Sequence, residues 1–194
     1  VAKADRSRIA QLDAAVASKL SELDLRTWVV DYLRWIEWGT GTETQLLRVD
    51  DVALWEGEPR AGQVPNLAQI DTGTLRITSR RVMYAGMSQH RVVRLPRLAT
   101  WSYGDEVLSL GAEESSRIWH FADLTRANAF LGAVLLNIAD NFVDEEQPAL
   151  DRVPENDIET YIATFDEQEV APAREQVARS ATDAETLRRI NGMG

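Results

Sequence analysis

The 194-residue chain has no cysteine, which excludes disulfides, thiolate metal sites and a cysteine nucleophile together. That absence fits a reducing compartment, so the expected location is cytoplasmic, with peripheral attachment to a membrane left open. There are two histidines, His90 and His120, too few for most zinc or non-haem iron sites. Lysine is scarce as well: Lys3 and Lys19 are the only two, and arginine carries the positive charge. No apolar run reaches the roughly 18 residues of a membrane span, and the longest, 127–139, is interrupted by Asn128 and Asn137. No P-loop, dinucleotide fingerprint or EF-hand loop is present, and no cofactor is expected. The chain starts at Val1 rather than Met, which points to a fragment or processed product and leaves a leader or anchor ahead of it open.

Hydrophobic residues make up 44% of the chain, enough to fill a core. The formal net charge of −10 opposes binding to nucleic acid and disfavours an anionic membrane surface. The distribution tells more than the sum. No acidic residue lies between Asp71 and Asp105, whereas Arg76, Arg80, Arg81, Arg91, Arg94 and Arg97 all fall there, with His90.

Residues 1–40 read as a helical segment. Ile9, Leu12, Val16, Leu20 and Leu23 recur at three- and four-residue steps, and a second stripe follows with Leu25, Trp28, Val29, Tyr32, Trp35 and Ile36. The change of phase near 21–24 predicts a bend or two helices. Gly39-Thr40-Gly41-Thr42 predicts a flexible joint. Residues 45–121 read as short strands, near 45–49, 51–56, 67–70, 73–78, 81–86, 91–95, 98–103, 106–110 and 116–121. Turn formers at Gly57-Glu58-Pro59, Asp71-Thr72-Gly73, Tyr103-Gly104-Asp105 and Gly111-Ala112 bound several of them. Such spacing predicts an antiparallel sandwich or barrel rather than βαβ units. Asp123 is placed to cap a helix through about Phe142, burying Leu124, Phe130, Leu131, Val134, Leu135 and Ile138. Beyond Pro148 the composition turns acidic and helical. Helices are expected over 157–169 and 171–179, and a capping box at Thr182-Asp183-Ala184-Glu185 would open a last one.

The central run carries a pattern. Gly73, Thr74, Leu75, Thr78, Arg81, Tyr84 and Gly86 stand in the order G-T-L-x-x-T-x-x-R-x-x-(aromatic)-x-G. Gly57-Glu58 precedes it, and a basic turn, a Leu-Pro-x-Leu strand, two hairpin strands and one amphipathic helix follow. This resembles the GRAM/pleckstrin-homology-like (PH-like) superfamily, and is most similar to its bacterial members, over roughly residues 54–137. The resemblance implies an α+β fold: a bent antiparallel sheet or barrel over 45–142, capped by one C-terminal helix. Extra helices at 1–40 and 150–194 lie outside it. It also implies a non-catalytic module that binds lipid headgroups, peptides or protein surfaces. Lipid-binding members often hold lysines between the first strands, where this chain has Asp50-Asp51 and Glu56-Gly57-Glu58.

Arg76, Arg91 and Arg94 are the candidate anion- or partner-binding residues. Arg76 alternates with Leu75 and Ile77 and so points away from the core. Paired hairpins could bring the three onto one face to hold phosphate or carboxylate, or they form a solvated face or a docking surface for the chain's own acidic helices. Arg81 is expected to close the turn after Thr78. Ile9, Leu12, Val16, Leu20, Trp28 and Trp35 are the candidate interface, for packing on the sheet or on a second copy of the chain. The carboxylate pairs Glu113-Glu114 and Glu145-Glu146 lack acid/base geometry and read as solvated. Neither histidine has a serine or aspartate at a recognisable triad spacing. The expected function is a binding or scaffolding module with a protein partner or a second copy; peripheral membrane binding and a place in a larger assembly are the alternatives.

Overall fold

The computed structural model describes residues 2–57, 67–113, 115 and 117–192, and the chain divides into two compact units. One comprises 36–158; the other joins 1–35 to 159–194. The sequence suggests three consecutive segments, and the structure unites the first with most of the last.

The unit 36–158 is built on seven antiparallel strands: β1 (Gln45–Gly57), β2 (Ala68–Thr78), β3 (Arg81–Gly86), β4 (His90–Arg94), β5 (Leu98–Tyr103), β6 (Leu108–Ala112) and β7 (Ile118–Ala122). Their order in the sheet is β4-β3-β2-β1-β7-β6-β5. The sheet is open, since β4 and β5 are its two edges and do not pair, so the barrel alternative gives way to a bent sheet. The bend is visible in the core. Tyr84 on β3 and Phe121 on β7 are three strand steps apart, about 14 Å in a flat sheet. Their rings lie 5.7 Å apart, both buried, so the two halves of the sheet curl towards each other.

Strand β1 joins those halves, pairing with β2 along most of its length and with β7 through Ala53–Gly57. The two short strands expected at 45–49 and 51–56 are one strand, interrupted by an irregularity in register at Asp50–Asp51, where Asp51 has φ 60°. The expected turn at Asp71-Thr72-Gly73 is likewise strand. Asp71 does not turn its own chain. Its carboxylate accepts the main-chain N–H groups of Ser88 and Gln89 at 3.0 and 2.7 Å, fastening the β3–β4 turn. The turn expected at Gly57-Glu58-Pro59 lies, after Gly57, outside the described residues, as does Glu114.

Helix α2 (Arg126–Phe142) packs on the concave side. Its N-cap is Thr125, whose hydroxyl accepts the Asn128 N–H at 3.2 Å, and not Asp123, which adopts φ 62° in the preceding turn. Leu131, Val134, Leu135 and Ile138 are buried as the pattern predicts. Each contributes about 1.5–3 kcal/mol, and a 2.5 Å hydrogen bond from Trp101 Nε1 to the Asp140 carboxylate adds a charge-assisted tie between β5 and α2. Gly132 lets the helix approach closely, because a Cβ there would stand 3.1 Å from Leu108 and 3.7 Å from Ile77.

The other unit pairs helix α1 (Ala2–Trp35) with helix α4 (Ala171–Gly192). They run antiparallel: Asp13 meets Arg188, Lys19 donates to Ser180 at 2.6 Å, and Arg26 reaches Glu169 at 3.4 Å. The helix is not broken in two near 21–24: it runs on as one, and propensity with i,i+4 pairs such as Glu22–Arg26 at 2.5 Å carries it through the change of stripe. Helix α3 (Glu155–Phe165) leads through a π turn over Asp166–Val170 into α4. The π turn ends two residues before Pro172, which has no N–H to donate to the ladder. Thr182 does not open a helix. It sits inside α4, with its hydroxyl bonded to the Ala178 carbonyl at 3.0 Å.

Candidate functional site

A groove of about 630 Å³ opens in the unit 36–158, lined by five arginines: Arg80, Arg81, Arg94, Arg97 and Arg152. The β2–β3 turn supplies the first two, Arg94 ends β4, a short 3₁₀ turn over Leu95–Arg97 places Arg97, and Arg152 follows α2. The turn itself is fixed by Thr78, whose hydroxyl accepts from the N–H groups of Arg80 and Arg81 at 3.2 and 3.1 Å. The strand ends are tied to their surroundings by Leu150 N–H to the Ser79 carbonyl (2.7 Å) and Gly41 N–H to the Asp151 carbonyl (2.8 Å). The glycine-rich stretch expected to be a flexible joint is thereby held at Gly41.

Three of these arginines have carboxylates. Arg81 grips Glu43 bidentately at 2.8 and 2.7 Å, which holds the Glu43 carboxyl below its usual range, with the Thr78 hydroxyl helping. Arg80 bonds the buried Asp151 at 2.8 Å, and Arg97 meets Glu113 at 3.0 Å. Arg94 and Arg152 are exposed, and among the described residues their guanidinium groups have neither a hydrogen bond nor an ion pair. Glu145 also lines the groove, from a turn in which Asp144 accepts the N–H groups of Glu146 and Gln147 at 2.8 and 2.6 Å. An uncommitted pair of guanidiniums beside committed ones suits a carboxylate or phosphoryl oxygen.

The predicted trio Arg76, Arg91 and Arg94 does not share a face. Cross-strand partners place Arg76 with Met83 and Val92, and Arg94 with Arg81, on the outer side of the sheet. Arg91 pairs with Tyr84 and Leu75 and so points to the opposite side. There it stacks 5.7 Å above the Trp119 ring and reaches Glu56 at 3.4 Å. Arg76 is half-buried beside Arg48, with which it is paired across strands; Asp50 bonds Arg48 and the Thr74 hydroxyl, at 3.1 and 2.8 Å. Among the described residues, the buried Arg76 Nε has no hydrogen-bond partner. Of the trio, only Arg94 lines the groove. Arg152 escaped sequence reasoning because it lies far along the chain, in a segment whose acidic composition masked it.

The candidate interface residues also part company. At 100° per residue, Ile9, Leu12 and Val16 fall on the side of Lys19 and Arg26, which faces α4. Trp28 and Trp35 fall on the other side, 41% and 87% exposed, and Leu20 lies between, 42% exposed. The Trp28 ring rests on Tyr32 at 5.5 Å.

His120 has a serine neighbour after all, supplied by strand register rather than sequence spacing. Ser109 and His120 are cross-strand partners on β6 and β7, with Oγ to Nδ1 at 2.8 Å. Burial lowers the His120 pKa, keeping the ring neutral at pH 7. The Ser109 side is closed, however, with the residue only 9% exposed, and it lines neither the arginine groove nor the helical pocket described below. The pair is a part-buried polar contact across β6 and β7.

No protein-family model and no curated protein sequence matches the chain. Among solved structures, one described as the 8S snRNP assembly intermediate is similar at a TM-score of 0.41 and 5% identity, covering 50% of this chain and 82% of that one. The crystal structure of the C-terminal domain of an unknown protein from Leishmania infantum is similar at 0.35 and 14%, covering 50% and 84%. Likeness of that order carries no argument about what this chain binds.

Proposed function

We propose that residues 36–158 form a PH-like binding module that acts without catalysis, and that its arginine groove receives an acidic segment of a partner protein. The observation that carries this reading is that Arg94 and Arg152 both line the groove and are exposed, and that among the described residues neither guanidinium is bonded to a carboxylate. Burying unpaired charge is costly, whereas leaving it in an open groove costs little and keeps it free for a ligand. The motif residues of the PH-like resemblance support the module. Gly73 and Gly86 face each other across β2 and β3, Tyr84 is in the core and Arg81 closes the β2–β3 turn on Glu43. No helix of the described residues is long and apolar enough to cross a membrane. The net charge of −10 repels polyanions at long range, so a short acidic segment suits the groove better than nucleic acid or an anionic bilayer. This reading belongs to a cytoplasmic protein working as a scaffold.

Titration with a short oligoglutamate peptide tests it, with inorganic sulfate and anionic vesicles as comparison probes. The expected result is saturable, salt-sensitive binding of the peptide that is lost in Arg94→Ala/Arg152→Ala. Equal affinity of the double variant, or binding to vesicles alone, overturns the reading.

A second reading concerns α1, whose exposed Leu20, Trp28 and Trp35 favour a contact surface for a larger assembly or a second copy. Light scattering across a concentration series tests that; a strict monomer at high concentration removes self-association.

A further inference from the structure

Strand β4 is an edge of the sheet, and the bonding pattern of its inner side fixes what its outer side presents. Leu95 N–H bonds the Arg80 carbonyl at 3.0 Å and Gly86 N–H bonds the Gln89 carbonyl at 2.9 Å. With the β3–β4 register between them, Arg91 and Val93 direct their main-chain groups inwards to β3. His90, Val92 and Arg94 direct their N–H groups outwards to the open edge, together with the Val92 carbonyl; the His90 carbonyl accepts from Arg91 Nη1 at 2.9 Å, and Arg94 caps the 3₁₀ turn over Leu95–Arg97. The side chains of His90, Val92 and Arg94 share the outer face, where Val92 is 57% exposed and Arg94 lines the groove. Outward N–H groups on either side of an outward Val92 carbonyl are a template for another strand.

Building on the groove as an acidic-segment site, we propose that the partner adds to β4 as an extended antiparallel strand. An acidic residue of the partner lies opposite Arg94 and an apolar residue two positions later lies opposite Val92. The main chain supplies affinity, and the two side chains supply register. The acidic side chain reaches the groove from Arg94 towards Arg152. Pairing of β4 with β4 of a second copy around a two-fold axis at Val92 sets Arg94 opposite His90, with no carboxylate for the arginine, so the occupant is a different, acidic chain. The other edge, β5, carries no such arginine.

The competing features of the molecule carry less. A polar pocket of about 320 Å³ beside the π turn is lined by Lys19, Arg26 and Glu169, which already bond Ser180 and one another.

The test uses the full chain and a short capped peptide reading Thr-Glu-Thr-Val-Thr. Three forms are compared: unmodified, N-methylated on Val, and N-methylated on the Thr between Glu and Val. Methylation on Val removes a donor aimed at β4, while methylation on that Thr removes one aimed at solvent. The expected result is a loss of about ten-fold or more in affinity for the first and little change for the second. Val92→Pro, which deletes an outward N–H without touching the inner ladder, weakens the unmodified peptide by a similar factor with an unchanged melting temperature. Arg94→Ala does the same.

If both methylated peptides bind equally and Val92→Pro has no effect, while oligoglutamate binding still depends on Arg94 and Arg152, strand addition is overturned and the groove reading survives. If oligoglutamate fails to bind as well, both fall. A dimer that Val92→Pro dissociates would show that a second copy occupies the edge, and would also overturn the proposal.

Discussion

Arg80 Nε donates to Asp151 Oδ2 at 2.8 Å, and the Asp151 side chain is wholly buried while that of Arg80 remains 40% exposed. The pair ties the β2–β3 turn to the segment after α2, and Arg80 also reaches the Gly41 carbonyl at 3.2 Å. The other oxygen, Asp151 Oδ1, is buried without a hydrogen-bond partner among the described residues, so the carboxylate depends on this one arginine. Asp151→Ala is expected to lower unfolding free energy by about 2–3 kcal/mol, read by urea denaturation. Arg80→Met with Asp151→Leu should regain most of that, because no charge is then left without its partner. An equal loss in the double variant would show that packing, not the pair, holds the segment.

Gly73 and Gly86 face each other across β2 and β3. A Cβ on Gly73 would stand 2.3 Å from the Ala85 carbonyl oxygen and 2.5 Å from the Gly86 Cα, both main chain. Neither atom can move without the strand. Gly73→Ala should therefore cost about 3 kcal/mol. Gly41→Ala, with open space for the Cβ but a φ of +72°, should cost only about 1 kcal/mol from backbone strain. Comparable melting temperatures for the two variants would contradict the close approach.

Acid and alkali should act through different residues. Arg81 holds the Glu43 carboxyl below its usual range, and the main-chain N–H of Ser88 leads the groups that do the same for Asp71. A depressed carboxyl stabilises the fold above its unfolded value of about 4, and that contribution is lost as pH falls through the folded value. Stability should thus be level near neutrality and fall in acid, with a shallower acid limb in Glu43→Gln. Burial pushes the Tyr84 phenol up to about 12. A raised phenol stabilises below its unfolded value of about 10 and ceases to do so as pH climbs towards the folded one. Tyr84→Phe should flatten the loss of stability on that limb, measured by melting between neutral pH and strong alkali.

Trp35 is 87% exposed, against 8% for Trp38. Trp35→Ser should change unfolding free energy by no more than about 0.5 kcal/mol while removing a large share of the acrylamide-quenchable fluorescence. A drop of several degrees in melting temperature would mean that this side chain is covered in solution.

The strand run, the helix after residue 123 and the outward aim of Arg76 were legible because period and turn chemistry are local. The fusion of strands at Asp50–Asp51 and at Asp71–Gly73 was not. Aspartate and glycine there serve an irregular register and the neighbouring turn, and a single strand's pattern cannot distinguish those uses from a turn of its own. Arg91 was misplaced by the same limit, since its face depends on which residue of β3 it opposes. The groove needed Arg152 and Arg94 brought together from 58 positions apart, a separation that no spacing rule covers. The helical pairing was hidden likewise: Ile9, Leu12 and Val16 announce a covered stripe, and only tertiary contact names α4 as its cover.

That last contact has a consequence for synthesis. Lys19 and Ser180 are separated by 161 residues, so α1 emerges from the ribosome long before the helix that shields it. Until then its half-covered stripe is bare, and a nascent chain stalled before residue 171 should engage chaperones that the finished protein does not.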